Sequence, residues 1–139
     1  MYLLDTNVVS ELRKAAVGGA DAGVMAWQAG VDPALCFLSA LTLMELAIGV
    51  LQVERRDARQ GRRLRAWLDG SVRAEFAGRI LPVHEAVAIR CARLHVPDPR
   101  PERDALIAAT ALEHGLTVVT RNVADFEATG VGLVNPWGG

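Results

Sequence analysis

The sequence predicts an α/β domain in which a mainly parallel sheet of about five strands is covered by helices on both sides. Three observations predict it: short, nearly all-apolar runs alternate along the chain with segments of helical periodicity; the runs lack the in-and-out alternation of a half-solvated antiparallel strand; and polar or turn residues bound each of them. Tyr2–Leu4 is the first run, and Asp5 or Thr6 directly after it can cap a helix reaching Arg13. A second helix covers Ala22–Ala29 and stops before the Asp32-Pro33 turn. Residues 35–38 read as the second strand. Thr42 and Glu45 have capping-box spacing for a helix running to Val50. Residues 79–83 form the third strand, and residues 85–95 a helix with Val87, Cys91 and Leu94 on one face. The helix over residues 103–114 is closed by Gly115, a residue suited to the left-handed C-terminal position. Residues 117–120 and 132–134 supply the last two strands. The outcome is a three-layer α/β/α sandwich.

Composition sets the outer limits. A chain of 139 residues, 51% hydrophobic and 22% charged, has enough apolar material for one core and is not a disordered segment. We expect one domain over residues 1–139, since no repeat, linker or compositional break divides it. The longest apolar run, residues 38–51, is interrupted by Glu45 and falls short of the roughly 18 residues of a membrane span. An acid at position 5, straight after a strand, does not fit a secretory leader, so a soluble cytoplasmic protein is expected. Cys36 and Cys91 sit in apolar surroundings and read as buried thiols. A formal charge of -1 excludes coating of nucleic acid by bulk attraction.

Four acids carry the functional signal. In an α/β sheet, groups that follow strands or open helices gather at the carboxyl edge. Asp5 follows the first strand, Glu45 opens the helix after the second, Asp104 starts the helix before the fourth, and Asp125 follows the fourth. Each alone could be a helix cap or a first-turn anion. Together they crowd like charges, which must take up protons unless a cation compensates them. No His or Cys stands at zinc spacing beside them: His84, His95 and His114 fall at element ends. An all-carboxylate oxygen set suits Mg²⁺ or Mn²⁺ and implies metal-assisted hydrolysis of a phosphodiester. Thr6, Asn7, Ser10, Thr120 and Asn122 can hydrogen-bond the carboxylates or waters around them, or simply form caps and turns.

The segments LLDTNVVSEL, LTLMELAIGV and RDALIAATALEHGLTVVTRNVADF, with the ending NPW, resemble the PIN-domain ribonuclease toxins of the VapC family, its FitB-like subgroup above all. The resemblance spans essentially the whole chain. It implies a PIN-like sandwich and a Mg²⁺- or Mn²⁺-dependent endoribonuclease acting on RNA as the toxin of a type II toxin-antitoxin system. It also implies a homodimer, silenced by a cognate VapB- or FitA-like antitoxin in a higher-order complex that can bind operator DNA through the antitoxin. Carried onto this chain, the acidic and metal-holding set is Asp5, Glu45, Asp104 and a fourth acid after the fourth strand. Some relatives place that acid where this chain has Asn122, others where it has Asp125; Asp125 is favoured because Asn carries no charge.

Fourteen of the fifteen basic residues are Arg, and six fall between positions 55 and 65. If residues 54–68 form one helix, Arg55, Arg56, Arg59, Arg62 and Arg63 occupy an arc of roughly 120°, with Leu64 and Leu68 opposite. Gly61 would weaken such a helix. Arg55, Arg59 and Arg62 are candidates for contact with RNA or antitoxin, against a plain solvated face paired to Glu54 and Asp57. Trp27, Trp67 and Trp137 read as core or interface residues. Two other functions fit an acidic edge: a non-catalytic partner-binding module, and a phosphoacceptor receiver domain, which needs a lysine that Lys14 is poorly placed to supply.

Overall fold

The computed structural model describes residues 1–138. Five strands, β1 (Tyr2–Leu4), β2 (Cys36–Ser39), β3 (Ile80–Leu81), β4 (Thr117–Val119) and β5 (Leu133–Val134), form one sheet in the order β3-β2-β1-β4-β5. Every pairing is parallel, with Tyr2 opposite both Cys36 and Thr117. Helices α1 (Thr6–Arg13), α2 (Ala22–Ala29), α3 (Ala40–Arg56), α4 (Ala58–Trp67), α5 (Arg73–Glu75), α6 (Glu85–Leu94) and α7 (Glu102–His114) connect them. Strand order reverses beside β1: the chain moves from β1 to β2 on one side and later places β4 on the other. The crevice at the carboxyl ends of β1 and β4 is therefore the switch point where α/β sheets bind ligands.

The two-residue period of the strands sorts their side chains between two cores. Leu4, Leu38 and Val119 join Val8, Val9, Leu46 and Val50 beneath α1 and α3. Leu3, Val118 and Leu133 face the other way, with Ile107, Ala108 and Ala111 of α7 and with Phe126. Both sheet faces are thus covered, as expected, and Ala105 and Ala109 let α7 lie against Val87 and Cys91 of α6. Cys36 and Cys91 are buried free thiols. Gly115 ends α7 with φ +67°, the left-handed value expected of it. Trp27 packs edge-to-face on Tyr2, its ring centroid 5.4 Å away, and all three tryptophans are half-buried against the first core.

Three local expectations are corrected. The capping box at Thr42 and Glu45 does not form. Ser39 is the cap of α3, its hydroxyl accepting from the Leu41 amide at 3.0 Å, because the helix starts directly at the end of β2. Thr42 lies inside α3, fully buried, and its hydroxyl has no hydrogen-bond partner among the described residues. β2 begins at Cys36 because Pro33–Leu35 forms a short 3-10 turn capped by Asp32, and β3 is only two residues long.

The third correction concerns the arginine-rich segment, which is two helices and not one. The break falls at Asp57, whose extended backbone ends α3 and whose carboxylate caps α4 by accepting from the Gln60 amide at 3.1 Å. Gly61 is not a weak point but the contact at which α4 crosses α3: a Cβ there would lie 2.6 Å from Glu54 Cα. Glu54 also receives two hydrogen bonds from Arg65, at 2.8 and 3.1 Å, which clamp the corner. Gly61→Ala should therefore destabilise the protein by about 1–3 kcal/mol despite its better helix propensity. A urea unfolding curve with a lowered midpoint checks this; an unchanged or raised midpoint contradicts it.

Candidate active site at the carboxyl edge

Asp5 is the anchor of the site. Its amide donates to Val119 O at 2.9 Å, extending the sheet register by one residue before the chain turns into α1. Its side chain caps that helix: Oδ1 accepts from the Thr6 amide at 2.8 Å. Oδ2 accepts from the Thr120 hydroxyl at 2.8 Å and, at 3.5 Å, from Asn7 Nδ2. Thr120 directly follows β4, so this bond spans the switch point. Thr120 Oγ1 accepts in turn from the Asn122 amide at 3.0 Å, and Asn7 Oδ1 from the Arg121 amide at 3.4 Å. Asp5 as a residue is only 7% exposed, and these bonds orient its carboxylate.

Glu45 comes from the second turn of α3. The Thr6 hydroxyl donates to its Oε1 at 2.9 Å, while Arg103 Nη1 stands 3.8 Å from its Oε2. Asp104, in the first turn of α7, is half-buried, and Asp125 ends an exposed 3-10 turn, Val123–Asp125, after β4.

Two of the four acids respond to their surroundings. Burial is the largest influence pushing the Asp5 carboxyl above its ordinary range; the bonds from Thr120 and Thr6 oppose it, and the charges of Glu45 and Asp125 add to it. Asp104 is raised as well, first by burial and then by Asp5, Asp125 and Glu45. Acids 40, 59 and 21 residues apart in sequence are thus near enough for the charges of Glu45 and Asp125 to act on both Asp5 and Asp104. Among the described residues, however, no three His, Cys, Asp or Glu side chains approach closely enough to enclose an ion. The described acids thus form no closed, preassembled cation cage.

The supporting polar residues divide. Thr6, Asn7 and Thr120 hold acids directly; Asn122 contributes its amide; Ser10 lines the groove beside Thr6 and Glu45 without bonding to either. Of the two residues offered for the fourth position, Asp125 is the one whose charge reaches Asp5 and Asp104. Arg55, Arg59 and Arg62 are exposed around the α3–α4 corner and form no ion pair among the described residues. Lys14 follows α1 and pairs with Glu11 at 3.2 Å, so the lysine a receiver domain would need is engaged elsewhere. Sequence reading missed Arg103, treated only as the start of a helix. Its signal was adjacency to Asp104 in a first turn at the carboxyl edge.

A parallel sheet covered by helices on both faces, with four acids near its switch point, defines an α/β/α protein. A family model described as PIN domain matches residues 2–131, and the chain belongs to the PIN-domain family. It is 37% identical over 145 residues to VapC ribonuclease Y4jK of Sinorhizobium fredii, covering 99% of this chain and 98% of that one. It is also 37% identical over 142 residues to Toxin FitB of Neisseria gonorrhoeae, covering 99% of each. Among solved structures, FitAB bound to the IR36 DNA fragment superposes with a TM-score of 0.89 at 34% identity, over 99% of this chain and 96% of the other.

Proposed function

We propose that this chain, a single PIN domain over residues 1–139, is the ribonuclease toxin of a type II toxin-antitoxin pair, a divalent-metal-dependent endoribonuclease. The observation that carries the reading is that buried Asp5, half-buried Asp104 and Glu45 and exposed Asp125 lie near enough together at the switch point for the carboxyls of Asp5 and Asp104, raised first by burial, to be raised further by the charges of the others. Similarity over the full chain to a VapC ribonuclease and to Toxin FitB supports it. Asp5, Asp104, Glu45 and Asp125 would hold Mg²⁺ or Mn²⁺. When bound, such an ion supplies positive charge against the phosphate and lowers the pKa of water.

The chain's own residues supply position. Thr120, Asn7 and the Thr6 amide lock the Asp5 carboxylate in one orientation, so no reorganisation is needed as charge develops. Thr6 fixes Glu45 by one oxygen, leaving the other able to orient water or accept its proton. In the hydrolysis, the water oxygen forms a bond to phosphorus, the bond to a ribose oxygen breaks, and the proton from water ends on that leaving oxygen.

By the same reading the protein is a homodimer silenced by a small antitoxin, and the complex binds operator DNA through that partner; the FitAB assembly on DNA is the precedent. Exposed Arg55, Arg59 and Arg62 offer planar forks to RNA phosphates or to antitoxin carboxylates. No helix among the described residues is long and apolar enough to cross a membrane.

The test is incubation of the purified chain with end-labelled single-stranded RNA. Cleavage in Mg²⁺ or Mn²⁺ that stops in EDTA is expected; intact RNA in every condition overturns the reading. One observation favours a non-catalytic partner-binding module, namely that no three acids close on an ion. That module would bind no Mn²⁺ and gain no thermal stability from it.

A further inference from the structure

The acids that define the site also create a difficulty for its substrate. Four carboxylates at one edge repel an incoming phosphodiester, and a cation belonging to the chain would relieve that repulsion. Among the described residues, Arg103 is the one basic side chain within ion-pair distance of any of the four. Arg121, close in sequence to Asp125, lies instead over the Trp137 ring, 5.5 Å from its centroid.

The contact that Arg103 makes is loose. Its side chain is 53% exposed, and its Nη1 stands 3.8 Å from Glu45 Oε2, too far for a hydrogen bond. The Glu54–Arg65 pair, with hydrogen bonds at 2.8 and 3.1 Å, shows what a fastened pair looks like in this chain. Exposed pairs of the Arg103 kind contribute little to stability. Glu45 does not depend on it, because Thr6 already holds the opposite oxygen. The pair can therefore open without disturbing either the fold or the carboxylate.

We infer that Arg103 is the phosphate-binding residue of this site, parked on Glu45 in the free protein and transferred to a backbone phosphate of single-stranded RNA on binding. A planar fork that makes one long contact to a carboxylate can make two short ones to a phosphate. Its place one residue before Asp104, on the first turn of α7, brings that phosphate to the acids. Moving the guanidinium also frees Glu45 Oε2 at the moment the substrate arrives. The inference rests on the ribonuclease reading and deepens it.

The experiment compares wild type, Arg103→Gln and Arg103→Lys in steady-state cleavage of single-stranded RNA with Mn²⁺ at several salt concentrations, and in Mn²⁺ binding followed by electron paramagnetic resonance without RNA. For Arg103→Gln, KM should rise about tenfold, the loss falling on KM and not on kcat. The slope of log(kcat/KM) against log salt should become shallower by about 0.7, the value for one phosphate contact on a single strand. Mn²⁺ should bind at least as tightly as to wild type, since Glu45 has lost a competing cation. Arg103→Lys should restore the salt slope but only part of KM, because an ammonium is a point charge. Wild-type KM and slope in Arg103→Gln would overturn the inference while leaving the ribonuclease reading intact. A wild-type protein that does not cut RNA would overturn both.

Discussion

Asp104→Asn should reduce metal-dependent RNA cleavage by roughly a thousandfold or more while leaving a folded protein that, without metal, is more stable than wild type at neutral pH. The two effects share one cause. Burial, reinforced by Asp5, Asp125 and Glu45, holds the Asp104 carboxyl above its ordinary value of 3.8. The folded protein therefore keeps this proton to a higher pH than the unfolded chain does. The stability so gained is complete below the unfolded pKa and is lost as pH rises through the folded one. Above that window the charged carboxylate works against the fold. Asn at position 104 removes the charge and its penalty together. Melting curves in EDTA should place the variant above wild type at pH 7, with the gap closing as pH falls toward 4. Added Mn²⁺ should raise the melting temperature of wild type and leave the variant nearly unmoved. A variant that is less stable than wild type at pH 7, or that still cleaves RNA, contradicts the account.

That the acids could be found without coordinates follows from the sheet. Asp5 is the residue after a three-residue apolar strand, and Asp104 opens the helix returning before β4, so topology alone sends both to the carboxyl edge. Partner choice was less legible. Ser39 and Thr42 are both good caps, and only the end of β2 decides between them: the helix begins as soon as the strand stops, which drives Thr42 into the core. Gly61 looked like a helix weakness because propensity is local, whereas its role is a close approach to Glu54 seven residues earlier. Arg79 shows the same limit. Expected to begin a five-residue strand, it instead spends its guanidinium on the carbonyls of Pro33, Cys36 and Glu75, tying the start of β2 to the segment before β3. Arg103 escaped for a related reason: spacing puts a residue on a face but does not say which neighbour a long side chain reaches.

Phe126→Ala should lower stability by about 3–5 kcal/mol, the largest loss expected of any single change discussed above. Phe126 is 1% exposed and sits in the core with Leu3, Ile107, Ala108, Leu116, Val118 and Val131. Removing the ring leaves a cavity between α7 and the sheet that a backbone tied at both ends cannot readily close. The Phe126 amide donates to Val123 O at 3.0 Å, and its carbonyl accepts from the Thr129 amide at 3.0 Å. For a domain stable by about 5–15 kcal/mol, a loss of this size brings the unfolded state within reach of mild urea. The site should respond too, because Phe126 is the anchor beneath the turn that carries Asp125. With the anchor gone, Asp125 no longer holds its charge steadily toward Asp5 and Asp104. Mn²⁺ binding in the folded variant should therefore weaken, although the substituted side chain is no ligand. Phe126→Leu, which refills most of the space, should recover most of the stability and the Mn²⁺ affinity together. Recovery of one without the other would show that core and site are not joined through this residue.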